Sequence, residues 1–265
     1  MFIEKFITVV ATLISFGLGN YAMSSCYLFI YNLPWVNPAT VDPVGMKQKI
    51  DRGMISNCFD FFIWALIHSL TARKSFQKRI PHYIERQVFV IIAASTLLVL
   101  LSRWSPLFVH PHILQAPITM TQLVPYIIFQ ITGWILFGAS NTAFLEDDVF
   151  GVVRCIKFLK EGKQFEDKKL ASDKFPFNIV RHPMYLGAIL IHWSQFFLVR
   201  NWTINRLVYN FITTSYLLIG MNFEERDLRR RMGQSYIDYS KNRDKIIPIR
   251  SIRWLMSKFR HKKVA

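Results

Sequence analysis

Arg181-His182-Pro183-Met184-Tyr185-Leu186-Gly187 opens an apolar run over 184–199, which turns at 201–205, returns over 207–223 and closes on Glu224-Glu225-Arg226-Asp227-Leu228. Two ionic clusters therefore bracket one short hydrophobic hairpin. The first run is short for a perpendicular crossing, so the hairpin is expected to be tilted or half-inserted, which returns Arg181 and Glu224 to one membrane face. A charge at the edge of a bilayer core is costly unless it is paired, hydrated or liganded. The two clusters are thus expected to meet and to enclose something.

Outward from the hairpin, four more apolar runs stand at 6–31, 54–70, 87–101 and 123–145. At 52% hydrophobic and 15% aromatic, a chain of 265 residues has more apolar material than a soluble domain of that size buries. The first run is too long, and lacks a small-x-small end, to read as a cleaved signal peptide. The reading is an all-α, polytopic integral membrane protein. It has about six membrane helices, a carboxy-terminal helical hairpin and a cytosolic cofactor pocket. One membrane domain covers 1–265, divided into a first helix and loop (1–53), core helices (54–146), a cofactor-binding half (147–249) and a basic tail (250–265).

Arg73, Lys74, Lys78, Arg79 and Arg86 fill the second loop, whereas 103–120 holds a single Lys or Arg. That asymmetry assigns the second loop, and with it both chain ends, to the cytosol. The net charge of +16 follows from such loops and from attraction to anionic membrane lipid, and no nucleic-acid partner is expected. Cys26, Cys58 and Cys155 lack metal or disulfide spacing. His110-Pro111-His112 has no acidic or cysteine partner nearby, so no metal is expected and the segment reads as a solvated loop.

In the second run, Asn57, Asp60, Trp64 and His68 recur every three or four residues and share one helical face, which must point into the bundle. Asp60 and His68 are candidate catalytic groups; the competing reading is a satisfied interhelical hydrogen bond. A site for a sulfonium methyl donor has to accept a cationic sulfur, an amino-acid zwitterion, a ribose and an adenine. Arg181 can fork onto a carboxylate, and His182 can hydrogen-bond it or the ribose. Gly187 lets the donor or another helix approach the backbone. Glu224 and Glu225 supply negative charge for the amino group, the ribose hydroxyls or the sulfonium, and Tyr185, Tyr236 and Tyr239 offer rings for adenine.

Arg-His-Pro-x-Tyr-x-Gly, an apolar return, Glu-Glu-x-x-Leu, Gly233, Tyr236 and Tyr239 together resemble the carboxy-terminal half of the isoprenylcysteine carboxyl methyltransferase superfamily. Upstream, His68-Ser69-Leu70-Thr71-Ala72, Glu85-Arg86-Gln87-Val88-Phe89, Gly133-Trp134 and Asp148-Val149-Phe150-Gly151 resemble its methanethiol S-methyltransferase and nurim-like branch. The stretch 141–146 departs from the family in lacking a histidine. The resemblance covers roughly 57–249. It implies S-adenosylmethionine held by Arg181, His182, Tyr185, Gly187, Glu224 and Glu225, with Tyr236 and Tyr239 nearby, and a small or lipophilic thiol as acceptor.

Two alternatives accompany it. A non-catalytic, nurim-like protein would reside in the nuclear inner membrane or endoplasmic reticulum, held by nuclear-envelope partners and the basic cluster at 258–263. A sterol reductase would share the Arg-His-Pro element but bind NADPH, whose extra phosphate wants cations where Glu224 and Glu225 stand.

Overall fold

The computed structural model describes residues 2–31, 41, 50–105, 112–115, 119–143, 149–162, 174–198, 201–250 and 253. In chain order the elements are α1 (Phe2–Tyr31), α2 (Ile50–Thr71), α3 (Lys74–Gln77), α4 (Glu85–Arg103), β1 (His112–Gln115), α5 (Met120–Ala143), α6 (Val152–Glu161), α7 (Pro183–Leu198), β2 (Asn201–Thr203), α8 (Ile204–Met232) and α9 (Gln234–Asn242). His110, Asp147, Asp148 and the tail cluster at 258–263 lie outside the described residues.

Among the described residues, α1, α2, α4 and α5 are long and apolar enough to cross a membrane. Their outer faces carry Phe6, Leu13, Phe59, Phe62, Ile128 and Ile135, all exposed, as lipid contact requires. The 16 residues of α7 rise about 24 Å, short of a hydrocarbon core of about 30 Å, and α8 completes the hairpin. The protein is a polytopic integral membrane protein, with the α7–α8 hairpin packed beside the four long apolar helices.

Contacts at the two ends set the alternation. At one end the start of α4 meets α6 through Glu85 and Arg154, 2.8 Å apart, and Lys5 of α1 donates to the Leu159 carbonyl. At the other, Phe29, Trp104 and Tyr209 pack edge-on in the main apolar core with Ile30, Phe61, Leu100 and Leu101. The first will be called the basic face.

The turn expected at 201–205 takes a more regular form. Asn201–Thr203 pairs antiparallel with His112–Gln115, His112 opposite Thr203 and Leu114 opposite Trp202. Backbone amides leaving apolar helices need partners, and a short ladder satisfies them where a loop would not. His112 is thus strand backbone rather than solvated loop. At the basic face α8 runs on past Phe223 to Met232, ending at Gly233 with φ +56°.

Two sequence motifs prove to be halves of one joint. Val149-Phe150-Gly151 is clamped between α1 and α4. Gln87 Nε2 donates to the Gly151 carbonyl and to Thr12 Oγ1, both at 3.0 Å, Arg86 Nε donates to the Val149 carbonyl, and Ser15 Oγ donates to the Phe150 carbonyl at 2.7 Å. Gly151 is left-handed, φ +83°, and a Cβ there would sit 2.7 Å from the Gln87 amide; one at Gly19 would strike the Phe150 ring. The small and hydroxyl-bearing stripe Thr8, Thr12, Ser15, Gly19 on α1 is what admits this segment. Gln87→Leu keeps the volume and strands the Gly151 carbonyl. It is expected to cost about 1–3 kcal/mol in thermal unfolding in detergent, with Gly151→Ala at least as damaging.

Candidate functional site

α7 starts at Pro183, whose missing N–H is no loss in a first helical turn. That places Arg181 and His182 just ahead of the helix, and a main-chain clasp holds them there. Arg181 N donates to the Asp244 carbonyl at 2.8 Å and His182 N to the Lys245 carbonyl at 3.1 Å. The segment after α9 therefore lies beside Val180–His182 as an isolated parallel bridge.

The acidic end of α8 arrives at the same place. Arg181 Nε and Nη2 donate to Glu225 Oε1 at 2.8 and 2.6 Å, while Nη1 donates to the carbonyls of Ser240 and Arg243. His182 Nε2 lies 3.2 Å from the same Glu225 oxygen, and its Nδ1 is 3.6 Å from Glu224. Arg229 and Lys245 approach the other Glu225 oxygen at 3.5 and 3.9 Å. Both side chains of the central pair are nearly enclosed, Arg181 at 12% and Glu225 at 8% exposure, whereas Glu224 stands 42% exposed.

The two carboxylates are therefore unlike. Burial would push the Glu225 carboxyl up, but Arg181, His182 and Lys245 together hold it below the ordinary carboxylate range. A depressed folded-state pKa contributes stability that is present above the unfolded value and is lost as pH falls through the folded one. The thermal midpoint in detergent is accordingly expected to drop on acidification below the ordinary carboxylate range. Glu225→Gln should flatten that part of the profile. Glu224, by contrast, offers spare acceptor capacity at the surface of the cluster.

Three tyrosines frame the cluster differently. Tyr185 places its ring 5.6 Å from His182 and has Glu224 and Tyr216 as electrostatic neighbours. Tyr236 is fully buried beside Arg181, and its hydroxyl closes no hydrogen bond of normal geometry. Desolvation and the two glutamates push that phenol well above its usual range. Tyr239 lies farther out, its hydroxyl donating to the Phe177 carbonyl at 2.8 Å.

The structure thus brings together Arg181, His182, Tyr185, Glu224, Glu225 and Tyr236. Gly187 sits on the opposite side of α7, where it meets α5: a Cβ there would lie 2.7 Å from the Gly133 carbonyl oxygen and from Phe137 N. The close approach that Gly187 permits is helix to helix. Asp60 is remote, paired with Arg103 at 3.0 Å toward the other end of the bundle, below Asn57, which exchanges hydrogen bonds with the Ser105 backbone. His68 lies on the near side, its Nδ1 2.9 Å from the Tyr216 hydroxyl. Sequence reasoning missed Tyr216 and the 243–245 clasp. Tyr216 stands two turns before Glu224 on α8, a spacing that could have singled it out; main-chain donation to 244 and 245 leaves no side-chain signal.

Residues 131–235 match the family model described as phospholipid methyltransferase. The likeness to that family lies in the second half of the chain. The matched stretch takes in the Gly133–Gly187 crossing and both ionic clusters, and leaves out α2 with Asp60 and His68. Most of the chain is similar to methanethiol S-methyltransferases. That of Pseudomonas deceptionensis is 28% identical over 222 residues, 78% of this chain and 80% of the relative. That of Crocosphaera subtropica is 29% identical over 203 residues, 75% and 74%. That of Mycobacterium tuberculosis is 24% identical over 249 residues, 92% and 97%. No solved structure matches. The family match and the methyltransferase relatives support a membrane methyltransferase, with both ionic clusters inside the matched region.

Proposed function

We propose that the protein is an S-adenosylmethionine-dependent S-methyltransferase of a small or lipophilic thiol. The observation that carries the reading is the convergence of Arg181, His182, Glu224 and Glu225 at one face of the bundle. Bound there, S-adenosylmethionine supplies an electrophilic methyl group on a sulfonium. The residues present fit such a group: Glu224 is a half-exposed carboxylate engaged by Tyr185 with an oxygen still open to solvent, and Tyr236 keeps a buried hydroxyl with no hydrogen bond of normal geometry among the described residues. Glu224 would meet the ammonium or the ribose hydroxyls, Tyr236 and Tyr185 would offer hydroxyls and ring faces, and His182 would orient between Glu224 and Glu225. Arg181 serves chiefly as the frame, since Glu225, Ser240 and Arg243 already engage its three nitrogens. The thiol class is supported by the names of the relatives, all methanethiol S-methyltransferases.

Titration of the purified protein in detergent with S-adenosylmethionine should show binding that Glu224→Gln weakens at least tenfold, about 1.4 kcal/mol. Unchanged affinity in that variant removes Glu224 from the donor site. Binding of NADPH instead would return the sterol-reductase reading. Neither ligand binding, with envelope retention in cells, would return the architectural one, whose nuclear or reticular address has no support from these bacterial relatives. A methyl-acceptor screen across methanethiol, longer alkanethiols and prenylcysteine then assigns the substrate.

A further inference from the structure

Between α2, α4 and α8, next to the ionic clusters, stands an aromatic box. Trp64 and Tyr216 have ring centroids 5.1 Å apart, Trp64 and His68 5.5 Å, and Phe61 closes one side at 5.3 Å from Trp64 and 5.9 Å from Tyr216. Phe89 closes the other, 5.3 Å from His68, with the Arg86 guanidinium over its ring. Two features go beyond packing. Trp64 Nε1 is buried and finds no acceptor among the described residues, a state that native interiors rarely leave. The Tyr216 hydroxyl sits 2.9 Å from His68 Nδ1, and Tyr216 neighbours Tyr185, which neighbours Glu224. The box therefore adjoins the ionic clusters.

We propose that this box is the acceptor-thiol subsite, with His68 as its base and Tyr216 as the residue that positions His68. The assignment rests on the thiol-methyltransferase reading above. When Tyr216 Oη accepts from Nδ1–H, the imidazole is held in the tautomer whose Nε2 has a free lone pair. The step is a proton transfer. The S–H bond breaks, an N–H bond forms at Nε2, the electron pair stays on sulfur, which becomes the nucleophile, and the proton leaves to water after product release. The unmatched Trp64 N–H donates to the sulfur, and the ring faces suit a polarizable atom and its small alkyl group. The groups facing His68 are Tyr216 from α8 and Phe89 from α4, with the Arg86 guanidinium over the Phe89 ring; that positive charge favours the nascent thiolate.

The test compares two acceptors on the purified full-length protein: an alkanethiol, protonated at neutral pH, and an electron-poor arylthiol, already ionised. With the alkanethiol, His68→Gln should lower kcat about 100-fold or more, the usual range for general base catalysis, and Tyr216→Phe about tenfold. With the arylthiol both variants should stay within a few-fold of wild type. Histidine-selective 15N NMR, read without turnover, should show the Nδ1–H tautomer of His68 in the wild type and its loss in Tyr216→Phe. Donor affinity serves as the folding control. Equal losses with both thiols, or no loss with either, overturn the assignment. Failure of the wild type to methylate any thiol overturns the function itself, a result visible before any variant is made.

Discussion

Arg181→Ala is expected to destabilise the protein by about 3–5 kcal/mol, the cost of breaking a buried, hydrogen-bonded ion pair from one side. The guanidinium ties three elements at once: the start of α7, the end of α8 through Glu225, and the carbonyls of Ser240 and Arg243 after α9. Its removal leaves a nearly enclosed carboxylate with only the longer contacts to His182, Arg229 and Lys245, and strips two carbonyls of their donor. Arg181→Lys should recover only part of the loss, because one ammonium cannot replace a fork that reaches both directions. Thermal unfolding in detergent, followed for wild type and both variants, reads the effect. Equal stability of all three would show that the clasp contributes nothing.

Gly187→Val is expected to disrupt the bundle at a second place. The obstacles to a Cβ at 187 are the Gly133 carbonyl oxygen and the backbone of Phe137, and at 133 they are the Gly187 carbonyl oxygen and the Ile191 backbone. Backbone cannot swing aside as a side chain can, so α5 and α7 must separate. That separation breaks the buried hydrogen-bonded group of Gln130, Ser194 and Tyr31 a few residues on. Overpacking of a fixed interface costs about 1–3 kcal/mol or more, and small residues are what let membrane helices come this close. Loss of the folded fraction on size exclusion, with Gly187→Ala intermediate, is the expected series. A stable Gly187→Val variant would mean that the crossing is not tight.

The membrane elements were legible because lipid imposes a long apolar run with polar breaks, a pattern of composition that needs no tertiary knowledge. Within that frame, the stripe of Asn57, Asp60, Trp64 and His68 correctly announced an inward face. It could not say which partner each would meet. Asp60 found Arg103, an ordinary interhelical pair, and His68 found Tyr216, from a helix nearly 150 residues later. Periodicity fixes a direction from the helix axis, and partner identity depends on how the helices are rotated and stacked.

The glycine of the Arg-His-Pro element illustrates the same boundary. Sequence reasoning required something to approach Gly187 closely and left open whether it was a ligand or a helix; the backbone of α5 fills the space. Likewise Glu85-Arg86-Gln87 and Val149-Phe150-Gly151 looked like two separate signatures and are the two surfaces of one contact.

What the amino-acid order determined by itself was a polytopic helical bundle and a hairpin whose charged ends had to be reconciled at one face, because unpaired charge at a bilayer margin is costly. Only the tertiary structure decided that Arg181 is spent on Glu225 while Glu224 stays half-exposed beside His182 and Tyr185, and that residues 243–245 return to clasp the pair. Adjacent glutamates on a helix point about 100° apart, so their fates separate only when the neighbouring elements are in place.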